Sequence, residues 1–230
     1  MNELEITGRA NTHVVQVDEP GCILHFATVE PFLEMREAAI EDGIDLVPVS
    51  SFRDFEAQKR IWNAKYRGER TLYDRSGRKL DHSSLNESEL IDAILCWSAM
   101  PGASRHHWGS DIDVIDRAVL PNPRAVKLLP IEYSAAGPFS KLNAWLDANM
   151  GRFGFFRPYR TDRGGVSPEP WHLSYARVAT DALQRLTESV LRRALEVADV
   201  DGKQELLRRL PEIGARYVTS VDPPENILFA

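Results

Sequence analysis

Cysteine is scarce in this chain. The 230 residues contain two, Cys22 and Cys96, at no metal-like spacing, which suits buried small hydrophobes better than a disulfide framework. Basic charge is not in excess either. With 28 Lys and Arg against 34 Asp and Glu, the net charge of −6 argues against a nucleic-acid binder, which would show a basic face. No apolar run is long enough to span a bilayer. The start, MNELEITGRANTH, lacks the basic segment and apolar core of a secretory signal, so the expectation is a cytoplasmic protein. Repeats and low-complexity tracts are absent. What remains is an ordinary globular composition, on a chain long enough to bury a core without staples.

The apolar spacing predicts a mixture of short strands and helices. Val14 to Val17 and Cys22 to Phe26 read as strands around the turn signal Pro20–Gly21. Residues 32–42 read as a helix ending near Gly43, and Leu46 to Val49 as a strand. A helix over 55–66 has Asp54 as its N-cap and puts Phe55, Gln58 and Trp62 on one face. A polar, Gly-containing loop covers 67–86. A helix over 87–98 starts at an Asn86/Glu89 capping pair and stops at Pro101–Gly102. Asp111 to Ile115 alternates as a half-buried strand does. A helix over 140–149, strands at Gly154–Arg157 and Trp171–Tyr175, helical spacing from about 177 through Ala194, and a second helical piece from Glu205 to Leu210 after Asp201–Gly202 complete the reading.

Six histidines are present. His13, His25 and His82 have no acidic or cysteine partner at a useful spacing. His106 differs: Gly109 follows it, and then comes the strand carrying Asp113. A histidine and an aspartate joined by a turn make half of a zinc site, and catalytic zinc wants three protein ligands and one open position. His172, with Glu169 three residues before it, offers the rest. On a flat strand those two side chains would point to opposite faces, so both reach one metal only if the chain bends near Pro170. Read alone, the pattern also fits a solvated aspartate strand beside an unrelated histidine. A calcium loop fits worse, because its fifth position would be Ile115.

Three stretches carry a resemblance. SRHHWGSDID (104–113) is similar to the Ser-x-His-x-x-Gly-x-(Ala or Asp)-x-Asp signature of the zinc D-Ala-D-Ala carboxypeptidases. EPWH (169–172) is similar to their Glu-x-Trp-His signature, and SSFRDFEAQKRIW (50–62) to a Ser-x-x-Arg element followed by Gln. Three motifs in the family's order are a specific signal, and the likeness covers about residues 30–180. It implies an α+β fold of the hedgehog and D,D-peptidase type: a small, mainly antiparallel sheet with packed helices. Residues 1–180 would form the peptidase domain and 181–230 a helical C-terminal extension.

The resemblance further implies one zinc ion per chain, held by His106, Asp113 and His172. Glu169 would be the catalytic base. Arg53 would stabilise the oxyanion or hold a substrate carboxylate. Ser51, Gln58, Ser104 and Trp171 would contact the peptide. Asp111, where many members have Ala, would either support a ligand or face solvent. His107 is expected to be exposed or to touch substrate, and Trp108 to pack. The expected activity is removal of the terminal D-amino acid from peptidoglycan stem peptides. Alternatives are an endopeptidase or D,D-dipeptidase of the same family, or a zinc-containing peptide-binding module without turnover. Retention of Glu169 and Arg53 favours catalysis.

Overall fold

The centre of the molecule is a four-stranded antiparallel sheet in the order β3-β4-β6-β5, built from Leu46–Ser50 (β3), Asp111–Asp116 (β4), Phe155–Phe156 (β5) and His172–Tyr175 (β6). A separate hairpin joins Val14–Val17 (β1) to Cys22–His25 (β2). These elements come from a computed structural model, which describes residues 1–120 and 126–224; the tail of the expected extension, 225–230, lies outside the described residues. All strand pairings among the described residues are antiparallel, the sheet expected from the sequence.

The strand β4 departs from the half-buried reading. All six of its residues are buried, because it lies between β3 and β6 and is covered on both faces. Ile112 and Val114 pack into an apolar cluster with Leu46, Phe32, Leu142 and Leu173. The alternate residues, Asp111 and Asp113, point the other way. Burying two carboxylates side by side is costly unless each is partnered, and the partners define the site below.

Helices flank the sheet. Phe26–Glu41 (α2) begins six residues before the predicted start, with Pro31 inside its second turn. Its N-cap is His25, whose Nδ1 accepts the Ala27 N–H at 3.1 Å. Ser140–Asn149 (α5) packs against the same cluster. A second apolar cluster joins the short helix Glu3–Ile6 (α1) to Phe55–Tyr66 (α3), Glu87–Leu95 (α4) and the C-terminal helices.

The C-terminal apolar spacing predicts a helical stretch from about 177 through Ala194 and a second piece from Glu205 to Leu210. The first is broken into Ala176–Arg185 (α6) and Glu188–Glu196 (α7), and the second is present as Lys203–Arg208 (α8), followed by Leu210–Ile213 (α9). Thr187 is the cause of the break: its hydroxyl caps the Val190 N–H and starts a new helix there. Residue 180 falls inside α6. Ala182, Leu191, Leu195 and Leu206 share one cluster with Trp62 and Ile91, and Trp62 Nε1 donates to the Asp201 carbonyl at 3.0 Å. No helix among the described residues is long and apolar enough to cross a membrane.

Candidate active site

A single row across the sheet brings the site together. Asp113 on β4 pairs with Ser50 of β3 on one side and with His172 of β6 on the other. His106 comes from the short 3-10 turn Arg105–Trp108. Gly109 ends that turn at φ 66° and hands the chain to β4. A side chain at Gly109 would be strained there and would strike the His25 backbone nitrogen at 2.6 Å. The glycine of the motif is therefore a steric requirement.

The bend near Pro170 exists. His172 N–H donates to the Glu169 carbonyl at 3.1 Å, closing a four-residue turn with Pro170 and Trp171 in the middle, and proline suits the position it takes. Three further bonds pin the turn: Glu169 N–H to the Tyr159 carbonyl, the Arg157 Nε–H to the Pro170 carbonyl, and Val114 N–H to the Trp171 carbonyl. The turn puts Glu169 Oε2 3.3 Å from His172 Nδ1, so the opposite-face problem of a flat strand does not arise.

His106, Asp113 and His172 each offer one ligand atom, all within 4.8 Å of one another. Hydrogen bonds choose which atoms converge. His106 Nδ1 lies 3.0 Å from the Ser51 carbonyl and 3.2 Å from that of Asp111. A nitrogen beside carbonyls must carry the proton, so the Nε2 lone pair is left, 3.3 Å from Asp113 Oδ2. His172 Nε2 faces Asp111 Oδ1 at 3.0 Å, which leaves Nδ1, 3.1 Å from Asp113 Oδ1. Yet Asp113 Oδ1 is buried without a properly directed hydrogen bond. Close approach without alignment is what two ligands of one cation show. Ligands about 2.0–2.1 Å from a tetrahedral zinc stand roughly 3.3 Å apart, so this donor set fits zinc.

The electrostatics agree. Burial alone would raise the Asp113 carboxyl, but His106 and His172 hold it well below the usual range. Burial would lower His172, yet Asp111, Asp113 and Glu169 together raise it well above the ordinary imidazole value. The cluster thus attracts a positive charge where these atoms meet. Glu169 is pushed up, by burial first and by Asp113, and a buried carboxyl shifted in this way inside a cleft marks a candidate for proton transfer.

Asp111 takes the supporting role, not the solvent-facing one. It is fully buried, and burial would raise its carboxyl, but Arg105, His172 and Ser110 bring it down to about 2. Arg105 Nε donates to Asp111 at 2.7 Å and Nη2 to Ser174 at 2.7 Å, while its guanidinium lies 4.6 Å above the Trp108 ring. Arg105, Asp111 and His172 form one chain of charge-assisted bonds behind the His106, Asp113 and His172 cluster. Trp108 packs as expected, donating to the Ile6 carbonyl.

Three expectations change. His107 is neither exposed nor at the cleft. It is buried, with Nδ1 on the Arg53 carbonyl at 2.6 Å and Nε2 accepting the Gly102 N–H. Burial pushes its pKa down to about 3, keeping it neutral. Gln58 does not face a peptide: it is buried in α3, accepts from Arg53 Nη1 at 2.7 Å and donates to the Ala99 carbonyl at 2.6 Å. Both ends of its amide are used on the protein, and what it holds is the guanidinium. Ser51 also lies behind the cleft, its Oγ accepting the Ile23 N–H at 3.1 Å. The serine on Arg53 is Ser50, at 2.8 Å from Nη2; as the first residue of Ser-x-x-Arg it was visible in the motif.

A cleft of about 410 Å³ opens in front of this cluster. Arg53, Ser104, His106, Asp113, Glu169 and His172 line it. Trp171 lines it too, but is 3% exposed and stacked on the half-buried Trp97, with ring centroids 6.5 Å apart. Tyr159, which no motif singled out, sets its ring edge-on to His172 at 5.1 Å. Burial pushes its hydroxyl up to about 12, so it stays a neutral donor. Part of the 67–86 loop, Arg70, Thr71 and Tyr73, forms one wall.

Comparison with known proteins follows the same residues. Positions 22–178 match the sequence profile of the family described as VanY, D-alanyl-D-alanine carboxypeptidase. An uncharacterized protein of Haemophilus influenzae is 34% identical over 127 residues, 54% of this chain and 95% of its own. A D-alanyl-D-alanine carboxypeptidase of Enterococcus faecalis is 30% identical over 154 residues, covering 64% of this chain but 46% of that protein. The crystal structure of a vancomycin-resistance D,D-pentapeptidase VanY, a Glu-to-Ala mutant in complex with Zn(II), superposes with a TM-score of 0.51. It is 25% identical over 77% of this chain and 88% of that one. The fold is also that of VanYB in complex with D-alanine-D-alanine, with a TM-score of 0.52 at 22% identity over 81% and 89% of the two chains.

Proposed function

The chain belongs to the D-alanyl-D-alanine carboxypeptidase family, and from that premise we propose a zinc-dependent peptidase that removes the terminal D-amino acid from peptidoglycan-type peptides. The observation that carries the reading is the convergence of His106 Nε2, Asp113 and His172 Nδ1 with Glu169 Oε2 beside them at 3.3 Å. A non-catalytic peptide binder has no need of that carboxylate.

When bound, zinc supplies a Lewis acid that brings the pKa of a coordinated water to about 7 and polarises a carbonyl. The protein's own groups do the rest. Glu169, buried and raised in pKa, takes a proton from the attacking water and returns it to the leaving amine. Arg53, fixed by Gln58 and Ser50, meets the charge that develops on the carbonyl oxygen. Ser104 and Tyr159 line the cleft and offer hydroxyls to the peptide backbone. Asp111 holds the His172 ring in the tautomer the metal requires.

The test is incubation of the zinc-loaded protein with two defined stem peptides, a pentapeptide ending in D-Ala-D-Ala and the corresponding tetrapeptide, read by mass spectrometry. Loss of one D-Ala from the pentapeptide is the expected result. Loss from the tetrapeptide alone would instead assign L,D-specificity, and cleavage of neither would count against a carboxypeptidase.

A further inference from the structure

The cleft has a second polar centre that the proposed chemistry leaves unused. Lys65 stands in the last turn of α3 and lines the cleft with Arg70 from the following loop. Its Nζ donates to Ser98 Oγ at 2.6 Å. Among the described residues neither Lys65 nor Arg70 pairs with a carboxylate, whereas Lys59, one and a half turns earlier on the same helix, is neutralised by Glu56 at 2.7 Å. Burial and the charge of Arg70, with a smaller push from Arg53, bring the Lys65 ammonium down to about 8 against the opposing pull of Glu169. A half-buried cation beside other cations, in direct contact with no carboxylate, is stabilised by a bound anion.

We propose that Lys65, with Arg70 beside it, seats the free carboxylate of the peptide's last residue and so selects chain ends over chain interiors. This rests on the reading of the cleft as a peptidase site. The polarity of the cleft sets the direction of the peptide. Asp113 and Glu169 lie at the metal end and repel a carboxylate, while the wall from α3 and the next loop carries only cations among its charged lining groups. Arg53 is already bound on Nη1 by Gln58 and on Nη2 by Ser50, and feels Asp113 and Glu169, so it belongs to the reacting carbonyl. The terminal carboxylate then falls to Lys65, whose ammonium has donors to spare after Ser98. A peptide that continues past this point presents an amide there, with no charge to offer.

The experiment measures binding without turnover, in zinc-loaded protein carrying Glu169→Ala. The probes are the pentapeptide ending in D-Ala-D-Ala with a free carboxylate and the same peptide as its terminal carboxamide. The inference expects at least tenfold tighter binding of the acid, collapse of that preference to within twofold on adding Lys65→Met, and partial recovery with Lys65→Arg. Zinc content and melting temperature of each variant confirm that it is folded and loaded. An acid preference that survives Lys65→Met, or that is absent while Lys65 is intact, overturns the inference. Binding of neither peptide overturns it together with the reading of the cleft. A Lys65-dependent acid preference without turnover by the parent protein leaves Lys65 its role and removes the proposed activity.

Discussion

His172 Nε2 lies 3.0 Å from Asp111 Oδ1, and that one hydrogen bond decides which nitrogen of His172 is turned toward His106 and Asp113. The same carboxylate neutralises the buried Arg105 at 2.7 Å. Asp111→Asn keeps the shape but weakens both links. Its zinc affinity is expected to fall 10–100-fold, measured by chelator competition. Asp111→Ala in addition strands a buried guanidinium and is expected to cost about 3–5 kcal/mol of stability, measured by denaturant unfolding.

Glu169 and His172 sit 3.3 Å apart but are expected to fail differently. Glu169→Gln keeps bound zinc near one per chain and loses on the order of 10²–10⁴ in turnover. His172→Ala loses the metal itself. Metal analysis beside peptide turnover separates the two.

Gln58 acts through Arg53. Gln58→Ala leaves a guanidinium nitrogen and the Ala99 carbonyl without their partner, which costs about 1–3 kcal/mol. The expected kinetic signature is a lower kcat with little change in KM, because the guanidinium is displaced from the reacting oxygen while the peptide contacts stay. A rise in KM alone would restore the direct peptide contact expected from the sequence.

His25 makes stability depend on acid. Its Nδ1 caps α2 only when unprotonated, and burial together with the nearby His13 brings its pKa down to about 4. The unfolded chain binds the proton near pH 6.5 and the folded chain only near 4, so stability falls as pH drops through that window and is fully present above it. The loss is about 3 kcal/mol at most. Melting temperature should therefore decline from pH 7 to 4.5, and less steeply in His25→Asn, which caps without titrating.

The C-terminal helices share a core cluster with α3 and α4. A chain cut after residue 180 would expose Trp62, Ile91 and Ile94, which are now fully buried. It is expected to lose cooperative unfolding, as read by circular dichroism on heating. A truncated chain with an unchanged melting transition would make the helices a dispensable extension.

Residues picked out by chemistry and spacing could be read in advance: His106, Asp113, Glu169 and His172 come from two short stretches, 104–113 and 169–172, and the fold brings all four together. Residues whose roles follow from packing could not. Whether Gln58 faces the cleft or Arg53 depends on a contact with Ala99, 41 residues away. His107 is one residue from His106, yet it turns into the protein because a 3-10 turn sends neighbouring side chains in different directions. Lys65 lies three residues beyond the apolar stripe of α3, and only the folded loop brings Arg70 beside it. The break at Thr187 was hidden by apolar spacing that continues across it.

The central claim is that His106, Asp113 and His172 hold a metal on which turnover depends. The most direct measurement strips the protein with a chelator, adds zinc back in increments, and follows release of D-Ala from the pentapeptide. The account predicts no release from stripped protein and recovery that saturates at one zinc per chain, with no recovery in His172→Ala. Full activity in the metal-free protein, or unchanged activity in His172→Ala, would contradict it.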